Sequence, residues 1–385
     1  MSAVAEFMVD ARAEMVADLT AYIEQETPSD DRAALDAGLA WVRDWVGERI
    51  GEPAAERRID GGEHGDIAVL DYPATGGGVG RVAVLCHYDT VWPLGTLEGG
   101  PVRIDGDRLT GPGAFDMKAG LVQAVWAIRA AREAGLPLPA IRLVLNGDEE
   151  TGSPASRPVI EAEVADRDAV LVFEASAEGA LKTARKGVGI FQVTTRGIEG
   201  HAGLDPERGV SAIDEIARVV LQLHSAADLA AGTSVNVGTL RGGSRSNVTA
   251  GLATAMVDVR VADQEERARI DGVLQRLAPR HELAELEVGG GWNRPVMQRS
   301  EGTARLFALA EEAAAELGTS IRETSVGGAS DGNFAAALGL PVLDGLGAVG
   351  DGAHARHEWI SIAGMLERAG IAALLLGKLA VGGAR

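Results

Sequence analysis

Short apolar runs without polar alternation, separated by helical stretches, constrain this chain more than any other feature. Residues 67–71, 82–87, 141–146 and 169–173 each read as one strand. Residues 117–134 show helical periodicity and stop at Gly135. A strand with no polar face has to be covered on both sides, so the order strand, helix, strand predicts an α/β sheet with helices on both faces. Ahead of this sheet, the first fifty residues predict two helices. Ser29-Asp-Asp-Arg32 supplies a cap, and Leu35, Leu39, Val42, Val46 and Ile50 recur at helical spacing.

The pattern changes after Glu178. Residues 190–195 and 253–261 alternate as half-exposed strands do, and helical stripes run through Ile213, Ile216, Val220 and Leu223 and through Ile270, Val273 and Leu277. From Arg185 to about Gly290 the chain therefore predicts a small antiparallel α+β module, with Gly289-Gly-Gly291 as the linker back. From Asn293 to the end it returns to helix, strand, helix, strand, helix. A smaller domain is inserted into a larger one.

Composition excludes several classes. Lys+Arg is 36 against Asp+Glu 56, a net charge of −20, which argues against nucleic acid or an anionic membrane as partner. Cys86 is the single cysteine, so no disulfide framework or thiolate cluster is available, and its apolar run predicts a buried structural residue. The N-terminus has no signal-peptide core. The apolar stretch at 371–376 is far below the ~18 residues a membrane span needs. The expectation is a soluble, cytoplasmic protein.

The chemistry concentrates at the strand ends. His87-Tyr-Asp89 follows the run at 82–87, and Asp116 stands at the start of the next helix. Asp148-Glu149-Glu150 ends the run at 141–146, and Glu174 follows the run at 169–173. His354 and His357 lie in a Gly-rich loop. The carboxyl ends of buried strands are where α/β sheets bind ligands. Asp116 alone could be a helix cap, but adjacent carboxylates repel one another, and a cation gives them a reason to cluster. Mixed imidazole and carboxylate ligands without sulfur suit zinc, with cobalt or manganese possible. Five ligands and a water exceed one tetrahedral ion, so two ions sharing a carboxylate fit better, a hydrolytic arrangement.

Taken in order, His87-Tyr-Asp89-Thr, Gly111-Pro-Gly-Ala-Phe-Asp116-Met-Lys, Asp148-Glu-Glu150-Thr-Gly, Phe173-Glu174, Gly200-His201-Ala-Gly, Gly327-Gly-Ala-Ser-Asp331 and Gly352-Ala-His354 resemble the di-zinc aminoacylase and glutamate carboxypeptidase family, with acetylornithine deacetylase and succinyl-diaminopimelate desuccinylase. Arg185-Lys-Gly-Val-Gly and Leu94-Gly-Thr-Leu lean toward the glutamate carboxypeptidase branch. The resemblance implies a mixed-sheet zinc-peptidase catalytic domain, residues 1–182 and 292–385, and an inserted lid/dimerisation domain, residues 183–291. It implies His87 and Glu174 on one zinc, Glu150 and His354 on the other, and Asp116 bridging, with a cis peptide after Asp116. His354 is preferred to His357 because it stands four residues before Glu358-Trp359. Asp89 would orient His87, and Glu149 would be the general base. His201 would reach across a homodimer to the scissile carbonyl. Asn247, Arg260, Gly328 and Ser330 would contact substrate, although the proline usual after this Asn is absent from Asn247-Val-Thr-Ala. The implied reaction releases a C-terminal, glutamate-like amino acid from a small N-acyl amino acid or peptide. A deacylase of different side-chain preference is the alternative.

Two motifs point elsewhere. Gly345-Leu-Gly-Ala-Val-Gly350 fits a dinucleotide fingerprint, but no helix opens after it. Gly328-Ala-Ser330-Asp-Gly332 fits a serine-hydrolase elbow, with Asp344 or Asp351 and His354 or His357 following in order. That reading leaves His87, Asp116, Glu149, Glu150 and Glu174 unexplained. An inactive, metal-free binding relative would lack a ligand, and every ligand type is present.

Overall fold

A computed structural model describes residues 2–382. Three helices open the chain, α1 (Ala3–Asp10), α2 (Arg12–Ile23) and α3 (Arg32–Ile50). The sequence predicted two here. The extra break falls at Ala11, whose backbone stays near helical (φ −75°, ψ −8°) and which makes no side-chain cap, so no punctuating residue announces it. Asp31 caps α3 by accepting from the Ala34 amide at 3.0 Å.

Then follow β1 (Ala55–Ile59), β2 (Gly65–Tyr72), β3 (Arg81–His87), a short α4 (Thr96–Gly99), β4 (Arg103–Asp105), β5 (Arg108–Thr110), α5 (Ala119–Glu133), β6 (Ala140–Gly147), α6 (Arg157–Val164), β7 (Ala169–Val172) and β8 (Ala180–Arg185). An irregular turn over Ala114–Lys118 precedes α5. Asp116 and Met117 are non-helical within it, and the peptide bond between them is cis. Asp116 is therefore not the cap of α5.

The module holds β9 (Gly187–Arg196), α7 (Ala212–Ser225), β10 (Ser234–Gly242), β11 (Leu252–Val261), α8 (Gln264–Gln275) and β12 (Glu285–Arg294). The chain ends with α9 (Glu301–Glu316), β13 (Arg322–Val326), α10 (Gly332–Ala337), β14 (Val342–Leu343), β15 (Gly350–Asp351), β16 (Trp359–Ser361) and α11 (Ile362–Ala380). Contacts divide the chain into two compact units. The first comprises the chain up to Ala184, Arg299–Val326 and the chain from Ser330 on. The second comprises Arg185–Gln298 with Gly327–Ala329.

The first unit is built on a mixed six-stranded sheet, ordered β1-β2-β6-β3-β7-β14. β6, β3, β7 and β14 run parallel, and β1 and β2 are antiparallel additions at one edge. Its central strands are buried on both faces: Val82–Cys86 in β3 and all of β7 are below 3% exposed. Helices α3 and α5 pack on β2 and β3, α9 on β14 and α10 on β7. The parallel register of β3, β6 and β7 brings their carboxyl ends to one edge of the layer.

The second unit is an antiparallel sheet, ordered β10-β11-β9-β12. Val257, Val259 and Val261 of β11 share a core with Phe191, Val219, Leu223 and Ile270, so α7 and α8 cover one face. Gly289–Gly291 is not a linker but the middle of β12, paired with β9. Gly290 has φ +87°, and a Cβ there would lie 2.3 Å from the Ile190 carbonyl oxygen. Gly290 marks a close backbone approach inside a strand here, a use that a sequence reading does not distinguish from a loop.

Candidate active site

The tips of β3, β6 and β7, the turn before α5 and the loop after β15 converge on one cluster within the first unit. Asp116 sits at its centre, with one oxygen to each side. Its Oδ1 is 3.3 Å from His87 Nε2, and its Oδ2 is 3.4 Å from His354 Nε2. Glu174 Oε1 lies 3.5 Å from His87 Nε2, and Glu150 Oε2 lies 3.0 Å from His354 Nε2. Ligand atoms of His87, Asp116 and Glu150 fall within 4.8 Å of one another, as do those of His87, Glu149 and Glu174. His357 is exposed and makes no ion pair among the described residues.

Buried groups hold this cluster in shape. His87 Nδ1 is 3.0 Å from the Asp89 carbonyl oxygen and 3.3 Å from its carboxylate. The same carboxylate accepts the amides of Glu149 and Glu150, both at 3.2 Å, and the Ser29 hydroxyl at 2.8 Å. Asp89 thus fixes both an imidazole and the acidic turn beside it. Behind that turn, Asp331 accepts from Asn146 Nδ2 at 2.7 Å and from the Ser153 hydroxyl at 2.5 Å. Glu358, 2% exposed, accepts four N–H groups: the amides of Gly113, Phe115 and Asp116 and the Trp92 indole, at 2.8–3.0 Å. The tip of β7 is fixed by close packing. A Cβ on Gly120 would lie 1.8 Å from the Phe173 carbonyl oxygen, and one on Gly347 would lie 2.2 Å from it. Gly347 therefore serves the placement of Glu174, which accounts for part of the glycine run that mimics a dinucleotide fingerprint.

Sequence reasoning missed Glu358 as a functional residue and used it only as a spacing mark. Its donors lie more than 240 positions away, so no local pattern reveals them. It also missed Gly120 and Gly347. A glycine required by a distant carbonyl looks the same in sequence as one required by a turn.

Protonation follows from the crowding of charges. Burial works to lower His87, but the hydrogen bonds it donates to Asp116, Asp89 and Glu174 outweigh it and hold the imidazole well above its ordinary value. Hydrogen bonds donated to Asp116 and Glu150 raise His354 to about 10. Burial would raise Asp116, but the two imidazoles outweigh it and hold its carboxyl far below the usual range. Burial pushes Glu150 up to about 7 against its bond to His354. Glu150 Oε1 is buried with no hydrogen-bond partner. Four carboxylates, two imidazoles and an orphaned carboxylate oxygen fit a pair of divalent cations. Cations at these positions would replace the protons that the imidazoles otherwise hold. Cys86 is buried and its thiol is pushed up by that burial, so it offers no nucleophile.

The remaining predicted residues divide between the units. Ser330 requires a correction. It is 0% exposed, and its hydroxyl donates to Asp344 Oδ2 at 2.6 Å. Neither a substrate contact nor an exposed elbow nucleophile is available from that interior position. Gly328 is exposed, and its carbonyl accepts from Arg185 Nη1 at 3.2 Å. In the second unit His201 and Asn247 are neighbours: the Asn247 carbonyl accepts the Ala202 amide at 3.0 Å. His201 Nδ1 accepts the amides of Gly203 and Leu204, both at 3.1 Å, so the ring proton resides on the outward Nε2. Arg260 is forked by Asp258, with both bonds at 2.8 Å.

The chain is similar to proteins already known. The sequence pattern described as Peptidase family M20/M25/M40 matches residues 83–378. Carboxypeptidase G2 of Pseudomonas sp. (strain RS-16) is 32% identical over 317 residues, covering 80% of this chain and 76% of the relative. Acetylornithine deacetylase of Myxococcus xanthus is 30% identical over 217 residues, 53% of this chain and 55% of the relative. Among solved structures, aminopeptidase PepT of Bacillus cereus superposes with a TM-score of 0.81 at 20% identity, covering 96% of this chain and 99% of that one. Bacillus subtilis YXEP, described as a dinuclear metal binding peptidase, superposes with a TM-score of 0.66 at 15% identity, covering 96% and 98%.

Proposed function

We propose, because the chain belongs to peptidase family M20/M25/M40 and is a metal-dependent hydrolase of amide bonds, that it releases a C-terminal amino acid from an N-acyl amino acid or short peptide, with glutamate or another acidic residue preferred. The observation that carries the reading is Asp116, whose two oxygens each face one imidazole with a further carboxylate beyond it. Two zinc ions, replaceable by cobalt or manganese, would be held by His87 and Glu174 on one side and by Glu150 and His354 on the other, with Asp116 shared. Bound ions of this kind supply Lewis-acid chemistry, polarising a carbonyl and acidifying water.

The protein's own groups do the rest. Glu149 takes the proton of the attacking water and passes it to the leaving nitrogen. Asp89 holds His87 in orientation and fixes the turn that carries Glu149. His201, with its proton on Nε2, is suited to donate to the scissile carbonyl oxygen, and Asn247 adds an amide beside it. Arg260 receives the free carboxylate of the substrate, which takes the place of Asp258. The glutamate preference draws on the resemblance of Arg185-Lys-Gly-Val-Gly and Leu94-Gly-Thr-Leu to the glutamate carboxypeptidase branch. Elemental analysis of the purified protein should find about two divalent ions per chain, and chelation should abolish hydrolysis. Full activity after chelation would overturn the reading.

The module is also the proposed dimer surface, with residues 183–291 as the lid/dimerisation domain. β10 and β12 leave two sheet edges without a partner strand among the described residues. Leu221 and Leu229 are 71% and 80% exposed. A homodimer places His201 in the neighbour's site. Subunits carrying His201→Ala, exchanged with subunits carrying Glu149→Gln, should then regain activity through one intact site. No recovery after exchange would place His201 in its own site. As to membranes, no helix among the described residues is long and apolar enough to cross one.

A further inference from the structure

Beside the metal cluster, within the first unit, lies a cavity of about 250 Å³ that the proposed mechanism does not use. Its lining includes Trp92, Thr96, Arg103, Thr110, Arg356 and Glu358. It adjoins the cluster directly: Glu358 binds the Asp116 amide at 3.0 Å, and Arg356 stands two residues after His354. The two arginines come from different elements. Arg103 opens β4 opposite Thr110 of β5, and Arg356 lies in the loop after β15.

Among the described residues neither guanidinium has an acid within ion-pair distance, in a chain whose net charge is −20. Most other arginines of the first unit are neutralised. Arg32, Arg43, Arg49, Arg57, Arg58 and Arg142 each hold one or more carboxylates. Two cations left without acids at one cavity, in so acidic a chain, mark a place where an anion is supplied from outside. Glu358 does not oppose this. Its two oxygens are filled by four N–H donors and it is 2% exposed, so it presents no bare oxygen to the cavity. The Trp92 indole gives an apolar wall, and the Thr96 and Thr110 hydroxyls already donate to the Pro93 and Arg103 carbonyls, so the two guanidiniums are the donors left to an anion there. The volume suits one carboxylate-bearing chain of a few carbons rather than a whole dipeptide.

We infer that this cavity is a carboxylate subsite, with Arg103 and Arg356 receiving a second acid group of the substrate in addition to the free terminal carboxylate. The inference rests on the amide-hydrolase reading above. The second acid comes either from the acyl chain or from the side chain of the released amino acid. A planar guanidinium pairs with a carboxylate through two parallel hydrogen bonds, and losing such a pair costs about 10- to 100-fold in rate or affinity.

Two substrate pairs separate the sources. N-succinyl-alanine against N-butyryl-alanine varies the acyl chain by one charge, and N-acetyl-glutamate against N-acetyl-glutamine varies the side chain. The metal-loaded wild type should prefer the charged member of at least one pair. In Arg103→Gln/Arg356→Gln the ratio of kcat/KM for charged over neutral should fall about 10- to 100-fold for that pair. The pair whose ratio falls identifies the source. Ratios that stay fixed in both pairs, or no charge preference in the wild type, would overturn the subsite. If the loaded wild type hydrolyses none of the four, the hydrolase reading fails instead. Calorimetric titration with glutarate then decides the subsite by itself: binding to wild type that is lost in the double variant upholds it, and equal heats in both overturn it.

Discussion

β3 and β11 place their polar residues by opposite rules. In β3 five consecutive residues are buried, and polarity waits until the tip, where His87 meets Asp116 and Glu174. In β11 every second residue is buried, and Asp258 and Arg260 lie along the open face as cross-strand partners of Ile190 and Val188. A strand covered on both faces can present a functional group only at its end, so its site is shared with neighbouring strand ends and becomes a tight cluster. A strand covered on one face can present groups along its length, where one neighbour suffices, as Asp258 does for Arg260. The first design suits a pair of ions that share five ligands, and the second suits a single anion held by a fork.

Substitutions at four positions press on this contrast. The largest effect should fall at the strand tips. Glu149→Gln keeps the shape of the turn but removes the proton acceptor, so turnover should drop on the order of 10²–10⁴-fold with metal content unchanged. Glu150→Gln, its neighbour, should lose metal instead. Steady-state kinetics with elemental analysis of both proteins separates the roles, and near-normal turnover in Glu149→Gln would remove it as the base.

On the open sheet face, Arg260→Ala should lower kcat/KM by about 10²-fold for substrates with a free carboxylate and much less for their amidated analogues. Arg260→Lys should not restore it, because an ammonium cannot reproduce the fork. Equal losses for both substrate types would assign Arg260 to structure through Asp258.

The smallest effect is expected one layer behind the cluster. Glu358→Gln preserves size but replaces one carboxylate oxygen with a donor that faces the N–H groups now bound there. Metal affinity should weaken about 10- to 100-fold, the usual range for residues that support ligands. Competition with a chromogenic chelator measures it. An unchanged affinity would show that the loop before Asp116 holds its shape without Glu358.

The legible part of the site is the part carried by strand ends. His87, Glu149, Glu150 and Glu174 each follow an apolar run directly, so the chain announces both the strand and the group at its tip. Asp116 and His354 were legible through their motifs, though not their environment: Asp116 lies in an irregular turn rather than capping a helix. Ser330 shows the converse. Its Gly-x-Ser-x-Gly spacing is a nucleophile motif, yet burial against Asp344 leaves the hydroxyl no access.

By itself the sequence determined which strands are buried on both faces, that half-exposed antiparallel strands follow them, and that acids and histidines collect at strand ends. These follow from local patterns, because burial and periodicity act over a few residues. Only the tertiary structure decided that Asp116 turns one oxygen to each imidazole, that Glu358 gathers three amides and an indole, and that Gly120 and Gly347 close on one carbonyl. Each of these depends on groups tens to hundreds of positions apart meeting within a few ångströms, and no local periodicity encodes such a meeting. Gly289–Gly291 marks the same boundary: as a string it reads as a linker, but it pairs with β9 and sets Gly290 against the backbone of Ile190.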